Sequence, residues 1–225
     1  MTARTLFVTG TDTEIGKTRI ATALLRGLTA AGYTAVGYKP VASGCEDTSE
    51  GLRNEDALAL AAAGSPGFGY DEINPYAFSP AIAPHIAAAE AGVAIDVDVL
   101  NAGHARLATR ADWVIVEGAG GWHVPLGPEL DFAGWVAARQ WPTLLVVGMR
   151  LGCVNHALLS GRAIAARTRL VGWVANILPP RQPRLDDNLA WLEANMPGPC
   201  LAQVPTDPPV DYAIEPGCWI GRASG

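Results

Sequence analysis

Two lysines, a threonine and two acids carry most of the chemistry legible in this chain. Gly10 closes a short apolar run, and Gly16-Lys17-Thr18 follow after the five residues 11–15, ahead of an Ala/Leu-rich helical pattern. Strand, glycine-bounded loop and helix start, in that order, are the setting of a phosphate-binding loop. Backbone N–H groups in the loop and at the helix start attract phosphate oxygens. Lys17 can neutralise the β- and γ-phosphates, and the Thr18 hydroxyl can ligate Mg²⁺. The expected ligand is a nucleoside triphosphate, most simply ATP. The usual motif has one residue fewer between its glycines. The loop is also acidic, with Asp12 and Glu14. An acid beside phosphate is repulsive unless it meets a positive group or accepts a hydrogen bond.

Three further polar groups could take part in this chemistry. Lys39 opens Lys-Pro-Val-Ala-Ser-Gly (39–44), where an ammonium near the loop can stabilise charge on a transferring phosphoryl group. The ordinary alternative is a solvated surface lysine. Glu117 ends Trp-Val-Ile-Val-Glu and is followed by Gly118, Ala119, Gly120 and Gly121. An acid there matches the metal-holding carboxylate of phosphate-loop enzymes, and glycines let a ligand approach the backbone. Asp56 follows Asn54, a candidate N-cap, and is either a second Mg²⁺ carboxylate or an ordinary acid in a first helical turn. His85 and His156 have no partner at metal-site spacing. Cys45, Cys153, Cys200 and Cys218 are scattered without a CxxC pair, which argues against zinc or a disulfide framework.

These groups need a scaffold that gathers strand ends. Short β-rich runs at 5–9, 34–39, 113–117, 143–148, 170–176 and 200–204 alternate with helical patterns at 17–31, 56–63, 97–109, 132–139, 155–167 and 184–195. Strands apolar on both faces, separated by helices, imply an α/β fold with a mainly parallel sheet covered by helices on both sides. Ligands of such sheets gather beyond the carboxyl ends of the strands. Residues 64–84 read as an irregular excursion, and the tail after Pro205 is weakly patterned. A single phosphate-loop α/β domain is expected over 1–225. With 49% hydrophobic and 17% charged residues, a substantial core can form. A net charge of −6 argues against general nucleic-acid affinity. No run approaches the ~20 apolar residues of a membrane span. The chain opens directly into a strand, so a cytoplasmic location is expected.

The segments Thr-Gly-Thr-Asp-Thr-Glu-Ile-Gly-Lys-Thr (9–18), Gly-Tyr-Lys-Pro-Val-Ala-Ser-Gly (37–44), Gly-Leu-Arg-Asn-Glu-Asp-Ala-Leu-Ala-Leu (51–60), Val-Glu-Gly-Ala-Gly-Gly-Trp (116–122), Leu-Gly-Cys-Val-Asn-His-Ala (151–157) and Gly-Trp-Val-Ala-Asn (172–176) together resemble the dethiobiotin synthetase family over nearly the whole chain. The five-residue loop spacing is a trait of that family. The resemblance implies a phosphate-loop NTPase-like fold and ATP- and Mg²⁺-dependent closure of a ureido ring from 7,8-diaminononanoate and CO₂. It implies catalytic roles for Lys17 and Lys39. Mg²⁺ would be held by Thr18, Asp56 and Glu117. Nucleotide contacts fall to Glu14, Ile15, Gly16, Lys17, Thr18, Arg19, Asp56, Glu117, Gly118, Ala119, Gly120, Asn176, Val204, Pro205 and Thr206. Thr13, Lys39, Ser43, Gly121, Leu151, Gly152, Cys153 and Asn155 are the substrate contacts it implies. The last four belong to an element that, in this family, meets the substrate carboxylate across a homodimer interface. Neither nucleic acid nor membrane is an implied partner. The competing reading is a partitioning-type regulatory ATPase of the same fold. Such proteins usually carry a second lysine early in the loop, and residues 11–14 contain none. Amidating synthetases of the superfamily generally add a glutamine-hydrolysing domain, for which this chain is too short.

Overall fold

The computed structural model describes residues 3–223; residues 1–2 and 224–225, the ends of the expected 1–225 domain, lie outside the described residues. Six strands form one parallel sheet. They are β1 (Arg4–Gly10), β2 (Ala35–Tyr38), β7 (Trp113–Gly121), β8 (Thr143–Met149), β9 (Leu170–Ile177) and β10 (Cys200–Val204), in the spatial order β10-β9-β8-β1-β7-β2. The central strands are apolar on both faces because both are covered. Leu6 and Val8 of β1 belong to one core cluster, and Phe7 between them belongs to the other. That period-two alternation is what a buried strand requires. Helix α1 (Lys17–Ala30) lines the first face through Ile20, Leu24 and Leu28. Helices α5 (Val97–Ala108), α6 (Phe132–Ala138), α7 (Cys153–Ala165) and α8 (Leu185–Asn195) line the second through Leu100, Phe132, Ala157 and Leu189.

The remaining elements frame one end of the sheet. After β2 the chain forms β3 (Val41–Ser43), a hairpin of β4 (Glu46–Thr48) and β5 (Gly51–Arg53), and helix α2 (Glu55–Ala63). Residues 64–84, expected to be irregular, contain helix α3 (Tyr70–Ile73) and β6 (Tyr76–Phe78), which pairs in parallel with β3. Helix α4 (Pro84–Glu90) starts on a proline, which tolerates a first helical turn. These pieces are too short for periodicity to reveal. The glycines at 118–121, expected to leave the sheet after Glu117, instead continue β7 as far as Gly121, opposite Gly10 of β1.

The weakly patterned tail also has structure. Helix α9 (Ile220–Ala223) follows a single tight turn, and Trp219 between them is fully buried, edge-on to Trp113 at 5.0 Å between ring centroids. Such aromatic pairs favour an edge-to-face arrangement. Among the described residues, no helix is long and apolar enough to cross a membrane.

Candidate active site

Strand β1 delivers the chain to the loop at 11–16, and the loop turns because its residues meet two demands. Gly16 caps α1 with φ +86°, a left-handed conformation that glycine adopts without steric penalty. Ile15 is buried between the ends of β1 and β8. A Cβ at Gly10 would come within 2.8 Å of its Cδ1, and one at Gly148 within 2.6 Å of its Cγ2. The extra residue in the loop is thus anchored as a hydrophobic plug, and only the Ile15 backbone is free to face a ligand. Its carbonyl already accepts a hydrogen bond from Asn176 Nδ2 at 2.7 Å.

The acidity of the loop is half resolved by the fold. Asp12 Oδ1 accepts the Thr13 N–H at 2.8 Å, and its other oxygen pairs with Arg150, the residue after β8. Glu14 is exposed, in a left-handed turn at φ +58°. Arg150 has the signal already used for Lys39, a cation directly after an apolar strand, and sequence reasoning passed over it. Lys17 folds back to donate to the Asp12 carbonyl at 3.0 Å. Its burial, reinforced by the charge of Lys39, lowers its pKa to about 8, against the opposing pull of Glu117, Asp56 and Asp12.

Beneath the loop, four side chains from four elements converge. Lys39 follows β2, Glu117 lies in β7, Asp56 stands in the first turn of α2, and Thr18 begins α1. Lys39 Nζ donates to Glu117 Oε1 at 2.6 Å and to Asp56 Oδ2 at 2.8 Å. Thr18 Oγ1 lies 2.6 Å from Asp56 Oδ1 and 2.9 Å from Glu117 Oε1. Lys39 is 3% exposed and Glu117 0%. Burial by itself would lower the Lys39 pKa, but the Glu117 and Asp56 charges and hydrogen bonds outweigh it, so the ammonium is held above its usual value. Burial likewise pushes Asp56 upward, yet the Lys39 charge, with hydrogen bonds from Lys39 and Thr18, holds its carboxyl below the ordinary range. Asp56 is fixed by its helix start. Asn54 accepts the Ala57 N–H at 3.3 Å as N-cap and donates to the Ser43 carbonyl at 3.4 Å.

The cluster fits a divalent cation. Glu117 Oε2 is buried and has no hydrogen-bond partner among the described residues. The Thr18 hydroxyl has one proton for two carboxylate acceptors. Two carboxylates face one ammonium directly, which leaves negative charge to be neutralised. Among the described residues, no cluster of three or more His, Cys, Asp or Glu is gathered. Two carboxylates and a hydroxyl suit Mg²⁺, which takes few protein ligands and completes its shell with water and phosphate.

The cluster opens on a cleft of about 780 Å³. Thr13, Glu14, Gly16, Lys17, Thr18, Lys39, Ser43, Asp56, Ala119 and Gly120 all line it. Ser43 Oγ is buried and unpartnered among the described residues, so a ligand group can use it. Residues 81–84, at the start of α4, form a rim that the sequence did not single out. Gly118 and Gly121 flank this lining on β7.

Two other groups of expected residues stand apart from the cleft. Asn176, at the end of β9, is buried; its Oδ1 accepts from Arg19 at 3.4 Å, and Arg19 also donates to the carbonyls of Pro205 at 3.4 Å and Thr206 at 3.0 Å. Buried Val204 ends β10 beside them. This second group therefore meets the loop from its far side. The turn before α7 is the third. Leu151 is 95% exposed, and Gly152 and Asn155 are exposed too. Cys153 is buried; its sulfur accepts from Gln182 at 3.6 Å and its N–H donates to the Arg150 carbonyl at 3.0 Å.

Residues 4–213 match the family model described as an AAA domain. The chain is 52% identical over 200 residues to the ATP-dependent dethiobiotin synthetase BioD 1 of Salmonella typhi, with 88% of each chain covered. It is 54% identical over 201 residues to the ATP-dependent dethiobiotin synthetase BioD of Pseudomonas paraeruginosa, again with 88% of each covered. The chain belongs to the dethiobiotin synthetase family. Its fold is shared more widely. A ParA family ATPase from Chlorobium tepidum superposes with a TM-score of 0.55 at 15% identity, covering 92% of this chain and 85% of that one. The MinC:MinD cell division complex of Aquifex aeolicus gives 0.56 at 15% identity, covering 97% and 88%. At such identities the likeness is one of fold. The dethiobiotin synthetase relatives, at about half identity, carry the family assignment.

Proposed function

We propose that this protein closes the ureido ring of dethiobiotin from 7,8-diaminononanoate and CO₂, with ATP converted to ADP and phosphate. The observation that carries the reading is the meeting of buried Lys39 and Glu117 with Asp56 and Thr18 under a phosphate-binding loop, opening on a cleft large enough for a diamine beside a triphosphate. One amine of the diamine captures CO₂ as a carbamate. Its oxygen attacks the γ-phosphorus of ATP, ADP leaves, and a carbamic–phosphoric anhydride remains. The second amine then attacks the carbonyl carbon and loses its proton, and phosphate departs as the ring closes.

Phosphoryl transfer depends chiefly on positioning and charge neutralisation. In this scheme Lys17 and Lys39 flank the carbamate and the γ-phosphoryl group. Thr13 and Ser43 orient the diamine, and Gly16, Ala119 and Gly120 present backbone to the phosphates or the substrate. Thr18, Asp56 and Glu117 would hold Mg²⁺, which when bound neutralises charge on the phosphate oxygens. Asn176, Arg19 and residues 204–206 would border the base. The exposed turn at 151–155 is proposed to take the substrate's carboxylate tail across a homodimer interface, since N–H groups at a helix start suit an anion. A single domain and a cytoplasmic location complete the reading.

The test is direct. Purified protein is incubated with 7,8-diaminononanoate, bicarbonate, ATP and Mg²⁺, and dethiobiotin is sought by mass spectrometry, with Lys39→Ala in parallel. Diamine-dependent product that collapses in the variant is expected. Nucleotide binding without dethiobiotin would sink the substrate assignment and leave a phosphate-loop switch or related synthetase.

A further inference from the structure

We infer that Lys39 has a second role beyond facing the reacting groups: its ammonium holds Asp56 and Glu117 in place before any metal arrives, and metal loading exchanges it for Mg²⁺ and releases it into the cleft. The inference rests on the Mg²⁺ reading given above and concerns what occupies those carboxylates beforehand.

The geometry leaves little choice. Lys39 Nζ stands 2.6 Å from Glu117 Oε1 and 2.8 Å from Asp56 Oδ2, with the Gly118 carbonyl at 3.5 Å. Thr18 Oγ1 approaches the remaining Asp56 oxygen and the same Glu117 oxygen. The ammonium therefore lies on the carboxylates expected to ligate the cation. Without it, the buried Glu117 carboxylate and the partly exposed Asp56 carboxylate would repel each other at the base of the cleft. A dication entering between them meets a buried monocation at hydrogen-bond distance from its own ligands. Like charges so close are unfavourable, and Mg²⁺ demands short, near-octahedral oxygen contacts. Where Mg²⁺ takes the oxygens that Lys39 holds, the ammonium gives way.

Lysine suits the exchange because its charge rides on a flexible four-carbon stem. The space open to it is the cleft lined by Thr13, Ser43 and Lys17, where carbamate and γ-phosphoryl oxygens supply the negative charge it gives up. The same side chain thus keeps the empty site in order and, once displaced, reaches the substrate. Two states of one residue would couple metal loading to readiness for transfer.

The test uses the full chain without nucleotide and Mn²⁺ as the probe, with free Mn²⁺ measured by electron paramagnetic resonance. Lys39→Met keeps the length of the side chain and removes the charge. If Lys39 competes with the metal, the variant binds Mn²⁺ at least about tenfold more tightly than the unaltered protein. Equal or weaker binding, still abolished by Glu117→Gln, would overturn the exchange while keeping the metal site. Binding indifferent to Glu117→Gln would overturn the metal reading itself. A measurement on the unaltered protein guards against a misfolded variant. The Lys39 side-chain ammonium resonance, in protein labelled with ¹⁵N-lysine, is expected to shift saturably with Mg²⁺; an ammonium unmoved at saturating Mg²⁺ contradicts the proposal.

Discussion

The two flanks of the nucleotide loop are built on opposite plans. On one flank, Thr18, Lys39, Asp56 and Glu117 meet through short side-chain contacts, with Lys39 and Glu117 buried. On the other, Arg19 reaches across to backbone carbonyls of Pro205 and Thr206, and the buried side chains are Asn176 and Val204. The first plan fixes atoms where charge changes during reaction, and it penalises any missing partner heavily. The second, proposed to border a flat base, uses residues 204–206, whose side chains apart from Val204 are at least partly exposed, and it should tolerate change. The chain should therefore be brittle in rate at one flank and soft in affinity at the other.

The contrast breaks most sharply at Glu117. Glu117→Gln is expected to lower kcat by about 10²–10³-fold, the cost typical of losing one preorganised charge-stabilising group. Steady-state kinetics at saturating ATP and Mg²⁺ checks this; a loss within threefold would show that the buried cluster is structural.

Titration of Lys17 gives the next effect. Its pKa of about 8 means that the free protein loses this charge as pH rises through that value. Phosphate binding uses the charged form, so kcat/KM for ATP should fall above pH 8 toward about tenfold per pH unit. Base contacts do not titrate there, so the preference for ATP over GTP should stay constant across the same range. A preference that moves with pH would tie the two flanks together. The sign for stability is opposite. The unfolded chain binds the Lys17 proton more readily between pH 8 and 10.5, so this group makes the fold more stable as pH rises through that window.

At the soft flank, Asn176→Ala removes the donor to the Ile15 carbonyl and the acceptor for Arg19. KM for ATP should rise about tenfold, the scale of one or two lost hydrogen bonds, with kcat nearly unchanged and ATP no longer preferred over GTP. A fall in kcat as large as that of Glu117→Gln would erase the distinction. The smallest effect is expected at Arg150. Arg150→Met leaves the Asp12 charge uncompensated near the phosphates and should raise KM for ATP about threefold, the scale of a half-exposed ion pair. Asp12→Asn in the same background should recover most of the loss. It removes the charge but keeps an oxygen for the Thr13 N–H. Additive losses in the double variant would rule out compensation.

Much of this organisation is written locally. Apolar runs of strand length between helical patterns identify the six strands of the main sheet, because a strand covered on both faces cannot alternate with polar residues. Lys39, Asp56 and Glu117 were visible as charges at strand or helix ends. The β4–β5 hairpin, α3 and β6 were not, since three- and four-residue elements show no period and are held by their neighbours. Nor was the extension of β7 through Gly121, which pairs with Gly10 of β1. The acid at position 12 looked anomalous for a phosphate loop until Arg150, distant in sequence, was found beside it.

The sequence by itself determined the phosphate loop, the parallel α/β class and the family, because each rests on residue types at short, fixed spacings. Tertiary structure decided who meets whom. The order β10-β9-β8-β1-β7-β2 sets β7 between β1 and β2. That order brings residues 18, 39, 56 and 117 into one cluster and leaves Asn176 on the far side of the loop. Strand order is a property of how whole faces pack, and no local spacing encodes it. The pairing of Lys39 with both carboxylates follows from that packing alone.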